Sequence, residues 1–207
     1  MSLFYRLAYR VGFAPWEHAA QHPAAAAQIA ALFEREERER TRPFGHALDL
    51  GCGTGQWSVK LATRGWQVTG IDLVRSAIDQ ARQRAHAAGV NVAFVTGDVA
   101  ALRACGIEPG FGLFWDFGTL HGLSQSARRA VGKELDALAS PNATLLTLAW
   151  APGWRGPLPR GASRADIEGA FANWRVIDDG AFDATGLPRP LRRVAPRFYR
   201  LRFGGHC

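Results

Sequence analysis

Three glycines and three aspartates have the types and spacing of a binding site for a nucleoside-containing ligand. Gly51, Gly53 and Gly55 alternate in the segment LDLGCGTGQW, which follows an apolar run and precedes a helical pattern. Glycines at this spacing allow tight turning with positive φ and let a ligand lie directly against the backbone. A dinucleotide-binding fingerprint has the pattern G-x-G-x-x-G, but Gln56 stands where its third glycine belongs.

The three aspartates indicate which groups a ligand presents to the site. Asp49 lies two positions before the first glycine, where it would repel a pyrophosphate but attract an ammonium or sulfonium group. Asp72 lies at the end of the next apolar run, and carboxylates at that point of doubly wound folds bind ribose hydroxyls. Asp98 is flanked by Gly97 and Val99, which suits a flat base whose edge lies on an apolar side chain while its amino group meets a carboxylate.

The elements that must position these residues alternate along the chain from His46 onward. The segments that read as strands are HALDLG, WQVTGID, NVAFVTGD, FGLFWDFG and ATLLTLAWA, and helical stretches stand among them. This alternation predicts a parallel sheet covered by helices on both faces. The three aspartates then lie at the carboxyl ends of strands, where such sheets bind ligands.

The two ends of the chain follow other patterns. Residues 2–12 have the spacing of a short amphipathic helix, and Pro23 can open the next one. ASRADIEGAFA predicts a helix with Ser163 as N-cap and Asp166 completing a capping box. WRVIDDGAF and RFYRLRF predict two strands without a helix between them, which indicates an antiparallel hairpin.

The predicted fold class is therefore α/β. We expect a doubly wound, Rossmann-like sheet that is mostly parallel, with a C-terminal antiparallel hairpin strand and helices on both faces. The 207 residues contain no internal repeat or linker. They predict a single domain, 1–207, with an N-terminal helical lid segment (1–44) and a Rossmann-like core (45–207).

Composition limits the class of protein. The hydrophobic fraction of 47% and charged fraction of 21% are typical of a soluble globular protein. No apolar run reaches the roughly 18 residues of a membrane span, and no signal-peptide core is present. Cys52, Cys105 and Cys207 have unrelated spacings, which indicates neither a disulfide framework nor a metal site. We therefore expect a cytoplasmic protein without a metal or a membrane partner.

The formal charge of +7 comes mostly from the C-terminal tail. No acidic residue follows Asp183, whereas six arginines do: Arg189, Arg192, Arg193, Arg197, Arg200 and Arg202. The tail is interpreted as a charged edge strand with a solvated face, or as a cationic rim that attracts an anionic or electron-rich substrate. Because the rest of the chain is close to neutral, a broad nucleic-acid-binding face is not indicated.

The chain resembles the class I S-adenosylmethionine-dependent methyltransferases. LDLGCGTG, GIDL, TGDV and FWDFGTLH stand in the order of that family's motifs, over roughly residues 45–180. PWE, DFGTLH and GPLPRGASRADIEGAF are similar to the small-molecule branch related to thiopurine and heterocyclic-toxin methyltransferases. The family's Pro-Gly-Gly turn before the fifth strand is replaced by Pro141, Asn142 and Ala143. Because asparagine tolerates left-handed conformations, we expect an altered turn and unaltered chemistry.

The resemblance implies S-adenosylmethionine as cofactor, S-adenosylhomocysteine as product and no metal. The cofactor contacts that it implies are Asp49, Gly51, Cys52, Gly53 and Gly55 around the methionyl end, Asp72 at the ribose, Leu73, Asp98 and Val99 at the adenine, Asp116 beside the reacting sulfur, and Trp16 closing the pocket. Cys52 is interpreted as a small residue that fills a tight loop and not as a nucleophile.

Aromatic and basic residues are the candidates for the acceptor site. Trp16, Trp150 and Trp154 can form an aromatic wall for a flat substrate, or can pack in the core. His121 can act as a general base for a hydroxyl, amine or thiol near neutral pH, or can simply pack at the start of a helix. Asp116 is not part of an Asn-Pro-Pro-Tyr-like motif, and no Pro-Cys pair is present. Within the family that the chain resembles, enzymes that methylate exocyclic base amines carry the first motif. Those that methylate a pyrimidine ring carbon use the cysteine of the second as a covalent nucleophile.

We therefore expect methyl transfer from S-adenosylmethionine to an oxygen, sulfur or nitrogen atom of a small aromatic or heterocyclic acceptor, by a monomer or homodimer. Nucleic acid is not the favoured partner. The alternatives are a non-catalytic protein that binds the same cofactor, an RNA methyltransferase that uses the C-terminal arginines, and a nucleotide-dependent oxidoreductase. Gln56 and Asp49 argue against the oxidoreductase.

Overall fold

A computed structural model describes residues 22–153, 160–183, 185 and 195–204. Its strands are β1 (His46–Leu50), β2 (Gln67–Asp72), β3 (Val92–Thr96), β4 (Phe111–Phe117), β5 (Ala139–Ala149), β6 (Trp174–Ala181) and β7 (Arg197–Phe203). Its helices are α1 (Pro23–Arg38), α2 (Gln56–Arg64), α3 (Arg75–Ala87), α4 (Gln125–Leu138) and α5 (Arg164–Ala170). The helix predicted over residues 2–12 lies outside the described residues.

The strands form one sheet in the order β3-β2-β1-β4-β5-β7-β6. Strands β1 to β5 pair in parallel, and β7 pairs antiparallel with both β5 and β6. The predicted fold class is thereby confirmed. From β1 the chain builds β2 and β3 on one side and β4 and β5 on the other, so the topological switch point lies between β1 and β4. Sheets of this kind bind ligands in the crevice at that point.

Helices cover both faces of the sheet because each has one apolar stripe to bury. On one face, Ile29 and Phe33 of α1 and Leu61 of α2 pack in one core cluster with Trp115 of β4. The same face carries α3, whose Ile78 packs with neighbouring apolar residues. On the other face α4 and α5 pack against the strands, with Leu135, Ile167 and Phe114 in one cluster.

The interpretation of the arginine tail as a charged edge strand is wrong. β7 lies between β5 and β6 and buries Tyr199 and Leu201. Arg200 is also buried, where Glu36 and Glu39 accept its hydrogen bonds. Arg202 pairs with Glu39 as well, so these guanidinium groups are neutralised by carboxylates near the end of α1. Arg189, Arg192 and Arg193 lie outside the described residues.

Two local predictions are confirmed by the backbone. Ser163 caps α5 and forms the predicted capping box with Asp166, in which each residue's side chain accepts a hydrogen bond from the other's backbone N–H. Asn142 adopts a left-handed conformation with φ 59°, at the position where the family that the chain resembles has a glycine. The asparagine therefore replaces the glycine by tolerating the same region of backbone space.

Candidate functional site

A cleft of about 590 Å³ lies at the carboxyl ends of β1 to β4. It is lined by Gly51, Asp72, Leu73, Val74, Gly97, Asp98, Val99, Gly118, Thr119 and Gly122. Five of the predicted site residues thus meet in one cleft, at the switch point of the sheet: Gly51, Asp72, Leu73, Asp98 and Val99. Trp16 and Trp154 lie outside the described residues.

The glycine loop that follows β1 has no room for side chains. Gly51, Gly53 and Gly55 have φ values of 67°, 53° and 76°, in the left-handed region that favours glycine. A Cβ atom on Gly51 would lie 2.0 Å from Oγ1 of Thr119, and one on Gly55 would lie 2.8 Å from Cβ of Ala81. The loop therefore lies tightly between α3 and the segment after β4, with bare backbone at the cleft.

Asp72 is held in a fixed orientation at the end of β2. Its Oδ2 accepts a hydrogen bond of 3.0 Å from the backbone N–H of Gly53, and its Oδ1 accepts one of 2.8 Å from Val74. The carboxylate thereby ties the glycine loop to the β2–α3 connection. Because each carboxylate oxygen can accept more than one hydrogen bond, this group can also bind a diol in the cleft.

Asp98 is exposed and lines the same cleft. Its Oδ1 accepts a hydrogen bond of 2.9 Å from the backbone N–H of Ala100 and so caps the 3₁₀ turn Val99–Ala101. The capping role and a ligand-binding role are compatible, since the carboxylate has further acceptor sites. Beside it, Val99 supplies an apolar surface.

Asp49 and Asp116 lie behind the cleft and do not line it. Burial raises the pKa of Asp49 to about 7, with repulsion from Asp116 and Asp72 adding to it, although the Ser58 hydroxyl donates a hydrogen bond of 2.6 Å to Oδ2. Burial likewise raises the pKa of Asp116 to about 6, against the effect of its hydrogen bonds. These carboxyl groups are therefore poised to change charge near neutral pH.

Asp116 organises the segment after β4. Its Oδ1 accepts hydrogen bonds from the backbone N–H groups of Thr119 and Leu120, at 2.8 and 3.1 Å. Its Oδ2 accepts one of 2.6 Å from the hydroxyl of Thr147 on β5. Since Thr119 and Gly122 line the cleft, Asp116 shapes the cleft through this turn.

His121 and Trp150 stack on each other beside the cleft. Their ring centroids are 4.6 Å apart with an interplanar angle of 20°, and His121 is buried. Gly118 lines the cleft next to this pair, and a Cβ on Gly118 would lie 3.1 Å from Cε1 of His121. Neither ring lines the cleft in the described part of the chain, but both lie immediately behind its rim.

The side chain of Cys52 points away from the cleft. It packs in a cluster with Ile78, Ala81 and Phe94, and burial raises the pKa of its thiol well above the usual value. Cys52 is buried and is not among the described residues that line the cleft. This position agrees with its interpretation as a small filling residue.

Val74, Gly118, Thr119 and Gly122 also line the cleft, although the sequence analysis does not predict them as site residues. The signal for two of them was present, since Gly118 and Thr119 belong to the DFGTLH motif. Thr119 also donates a hydrogen bond of 3.0 Å to the carbonyl of Leu50, and this contact joins the ends of β1 and β4.

Across the described ranges, no group of three or more His, Cys, Asp or Glu side chains is arranged to hold a metal ion. Within the same residues, no helix is long and apolar enough to cross a membrane.

Comparison with protein families assigns residues 47–142 to a family described as a methyltransferase domain. A curated relative, 2-heptyl-1-hydroxyquinolin-4(1H)-one methyltransferase of Mycobacteroides abscessus, is 28% identical over 147 residues. That match covers 68% of this chain and 63% of the relative's own length.

Solved structures share the fold over nearly the whole chain. One structure comes from work on the conversion of a disulfide bond into a thioacetal group during echinomycin biosynthesis. It is 26% identical to this chain with a TM-score of 0.74, and the match covers 100% of this chain and 94% of that one. Another is a Burkholderia thailandensis 1,6-didemethyltoxoflavin-N1-methyltransferase with bound 1,6-didemethyltoxoflavin and S-adenosylhomocysteine. It is 23% identical with a TM-score of 0.70, and the match covers 97% of this chain and 85% of that one.

Proposed function

We propose that the chain is a class I S-adenosylmethionine-dependent methyltransferase and that it transfers a methyl group from S-adenosylmethionine to an oxygen, sulfur or nitrogen atom of a small aromatic or heterocyclic acceptor. The proposal rests on the observation that Gly51, Asp72 and Asp98 line one cleft at the switch point of the sheet.

The residues present fit the cofactor. The bare backbone of Gly51 lines the cleft and would face the methionyl end, with the buried carboxyl group of Asp49 behind the loop. Asp72 would accept hydrogen bonds from the ribose hydroxyls, because Gly53 and Val74 already orient both of its oxygens. Leu73 and Val99 would contact the adenine, and Asp98 would accept a hydrogen bond from its amino group.

When bound, S-adenosylmethionine supplies a methyl group activated by a sulfonium, so that the acceptor atom bonds to carbon as the carbon–sulfur bond breaks and its electron pair stays on sulfur. The protein's task is then to align the acceptor and to exclude water. Holding two reactants in line can contribute roughly 7 to 11 kcal/mol of the barrier reduction.

His121 is the candidate for removing a proton from the acceptor. Its imidazole lies behind Gly118 at the rim of the cleft and is held by the ring of Trp150. A phenol or thiol that is already ionised would not need this base, whereas an alcohol would. Trp150, which stacks on His121, would contact the ring of the acceptor. Asp116 would hold the turn that carries His121, since it accepts hydrogen bonds from the backbone N–H groups of Thr119 and Leu120.

The named relatives support the acceptor class. By their names, the Mycobacteroides abscessus relative methylates 2-heptyl-1-hydroxyquinolin-4(1H)-one and the Burkholderia thailandensis protein methylates 1,6-didemethyltoxoflavin. Both acceptors are planar heterocycles. A planar heterocycle is therefore the first acceptor class to examine for this chain.

Calorimetric titration with S-adenosylmethionine and S-adenosylhomocysteine tests the proposal. We expect the wild type to bind both, and Asp72→Ala to lose at least tenfold in affinity for each. Asp79→Asn is the matched control, because Asp79 lies 55% exposed on α3 and should leave binding unchanged. Absence of binding by the folded wild type would contradict the proposed cofactor.

Activity assays then separate an enzyme from a non-catalytic binder. Phenols, thiols and nitrogen heterocycles are incubated with radiolabelled cofactor, and label in the acceptor is counted. For an acceptor found active, His121→Gln should lower kcat most for alcohols and least for acidic thiols. Binding of the cofactor without transfer to any acceptor would favour the non-catalytic alternative.

A further inference from the structure

A buried arginine lies behind the turn that carries His121. Arg128 belongs to the inner face of α4 and is only 6% exposed. Its Nη1 donates a hydrogen bond of 2.8 Å to the carbonyl of Leu123 and a longer one of 3.5 Å to the carbonyl of Leu120. The guanidinium therefore contacts the backbone on both sides of His121, along the 3₁₀ turn Leu120–Gly122.

The same guanidinium reaches the first turn of α5. Nη2 of Arg128 lies 3.7 Å from Oδ1 of Asp166. That carboxylate is itself fixed, because its Oδ2 accepts hydrogen bonds from the backbone N–H and the hydroxyl of Ser163. The two helices pack closely, since a Cβ on Gly132 of α4 would clash with the carbonyl oxygen of Ala170 on α5. Arg128 thus joins the turn to a closely packed pair of helices.

Groups of opposite charge hold the two ends of this turn. Asp116 accepts hydrogen bonds from backbone N–H groups at its start, those of Thr119 and Leu120. Arg128 donates to carbonyl groups and so restrains the backbone after the imidazole as well. Gly122 lies in that part of the turn, is exposed and has no side chain to pack. Because glycine has the largest backbone freedom, this part of the turn depends most on an outside contact.

The burial of Arg128 has no evident value for stability alone. A buried guanidinium is costly unless it is well paired, and an apolar side chain on the inner face of α4 would avoid this cost. The Nη atoms of Arg128 contact two neutral carbonyl groups and one carboxylate at 3.7 Å. Its Nε has no hydrogen-bond partner among the residues that the structure describes. A planar group with several donors is, however, well suited to fixing a turn.

The place of the His121 imidazole depends on this turn. The ring stacks on the indole of Trp150, with 4.6 Å between the centroids and an interplanar angle of 20°. Thr119 and Gly122, on either side of it in the chain, line the cleft. A shift of the turn would therefore change the stacking and move the imidazole relative to the cleft.

We propose that Arg128 is a positioning residue for His121, whose imidazole it keeps on Trp150 at the rim of the cleft by holding the turn. This role rests on the proposed function, because it gives His121 its working position as the base for the acceptor. Arg128 is not among the described residues that line the cleft. It therefore acts through His121 and not on the acceptor.

Nuclear magnetic resonance of the ligand-free full chain tests the position of His121. Its Cε1–H signal is identified by its absence in His121→Gln, and Trp150→Leu gives the shift of this signal without the stacked indole. The spectra are compared at the alkaline end of a pH titration, so that protonation of the imidazole does not contribute. Urea unfolding first confirms that each variant is folded.

We expect Arg128→Met to move the His121 signal most of the way toward its position in Trp150→Leu. Arg128→Lys should move it less, because an ammonium group keeps the charge but lacks the planar fork that reaches both carbonyl groups. Arg129→Met is the matched control, because Arg129 is exposed on the same helix and should leave the signal in place.

Methyl transfer supplies the second measurement. Benzyl alcohol is the acceptor that must lose a proton, and 2-mercaptopyridine is the acidic thiol. We expect Arg128→Met to lower kcat for the alcohol at least tenfold, as His121→Gln does, with KM for S-adenosylmethionine unchanged and kcat for the thiol changed less than twofold. Arg128→Met combined with His121→Gln should lose no more than His121→Gln alone, because both changes remove the contribution of one group. Arg129→Met should keep the activity of the wild type.

The role of Arg128 is overturned if the His121 signal stays at its wild-type position in the folded Arg128 variants. It is also overturned if the losses of Arg128→Met and His121→Gln multiply, or if the thiol loses as much kcat as the alcohol. Should Arg128→Met fail to fold, Arg128→Lys gives the same readout. Failure of the wild type to bind S-adenosylmethionine would instead contradict the proposed function, and the ligand-free spectra would still decide whether Arg128 places His121.

Discussion

At the scale of single residues, the cleft needs a glycine at position 51, because a side chain there would cover the backbone that lines it. The substitution Gly51→Ala tests this requirement. Gly51→Ala places a Cβ where Thr119 Oγ1 lies 2.0 Å away, on a backbone with φ 67°. We expect a loss of more than about 1 kcal/mol of stability from the left-handed conformation alone. We also expect loss of S-adenosylhomocysteine binding, measured by calorimetry on the folded fraction.

Gly89→Ala is the matched control for backbone strain. Gly89 has a similar φ of 65°, but nothing lies within 4 Å of its Cβ position. This variant should lose about 1 kcal/mol of stability and keep its affinity for the ligand. Equal affinities in both alanine variants would show that the close contact at Gly51 is unimportant to the cleft.

Asp49 should make the stability of the ligand-free protein depend on pH. The pKa of this carboxyl rises from 3.8 to about 7 on folding, so the folded state binds its proton more tightly than the unfolded state does. The resulting stabilisation is fully present below pH 3.8 and is lost as the pH rises through 7, by about 4 kcal/mol at most. Urea unfolding between pH 5 and 8, the part of this window near neutrality, measures it.

Asp49→Asn removes the titrating group and should flatten this profile. The slope that belongs to Asp116 should remain, since burial raises its pKa to about 6. Asp79→Asn, at an exposed position, should follow the wild type. A profile for Asp49→Asn that falls as steeply as that of the wild type would mean that Asp49 is ionised throughout this range.

The residues of the glycine loop and the strand ends were predictable because their requirements are local. A tight turn needs glycine, and the end of a parallel strand faces the ligand-binding edge. That Gly51, Asp72 and Asp98 line one cleft follows from these rules, while their contacts with a cofactor remain predictions. The hydrogen bond from Thr147 to Asp116 was not predictable, because it joins side chains 31 positions apart on neighbouring strands.

At the scale of elements, a buried ionic cluster fastens α1 to the sheet. Glu36 is 1% exposed and accepts hydrogen bonds from Arg40, Thr144 and Arg200, which itself is 2% exposed. Arg200 also donates to Glu39, and these hydrogen bonds hold the pKa of Glu39 at about 2. The cluster therefore joins α1 to β5 and β7, two strands that are distant from it in sequence.

Arg200→Met should be strongly destabilising, because it leaves the buried carboxylate of Glu36 with less compensation. Removing one partner of a buried ion pair typically costs about 3–5 kcal/mol, and the remaining Arg40 favours the lower end. Urea unfolding at pH 7 measures the change. Arg202→Met is the comparison, since Arg202 pairs only with the partly exposed Glu39 among the described residues and should cost at most about 1 kcal/mol.

If the two methionine variants lost equal stability, the buried cluster would not be what fastens α1. In that case the apolar contacts of Ile29 and Phe33 would be sufficient for the packing of this helix.

The position of β7 explains why the sequence was misleading here. The predicted order of strands and helices was right because hydrophobic periodicity reports each element separately. The pattern RFYRLRF predicted an exposed edge, since alternate arginines normally face solvent. The structure instead pairs Arg200 with carboxylates near the end of α1, more than 160 positions earlier in the chain. Such long-range charge pairing leaves no periodic signal in one sequence.

At the scale of the whole molecule, acidic side chains accompany the described arginines of the C-terminal tail. Of the tail's arginines, Arg197 pairs with Asp179, while Arg200 and Arg202 pair with carboxylates of Glu36 and Glu39. Side chains engaged in this way do not offer a continuous path for a phosphate backbone. This pairing is in line with the small-molecule acceptor that we propose.

Salt dependence of RNA binding tests this distribution of charge. Each phosphate neutralised on a single strand contributes a slope of about −0.7 to the change of log affinity with log salt concentration. We expect labelled single-stranded and hairpin RNA to bind the full chain with a slope shallower than about −2 between 50 and 200 mM salt, measured by fluorescence anisotropy. Arg197→Gln combined with Arg202→Gln should leave that slope unchanged, because each of these arginines is already paired with a carboxylate. A steep slope that Arg189→Gln, Arg192→Gln and Arg193→Gln together abolish would place an RNA-binding surface in the tail, and would favour the RNA methyltransferase alternative over a small-molecule enzyme.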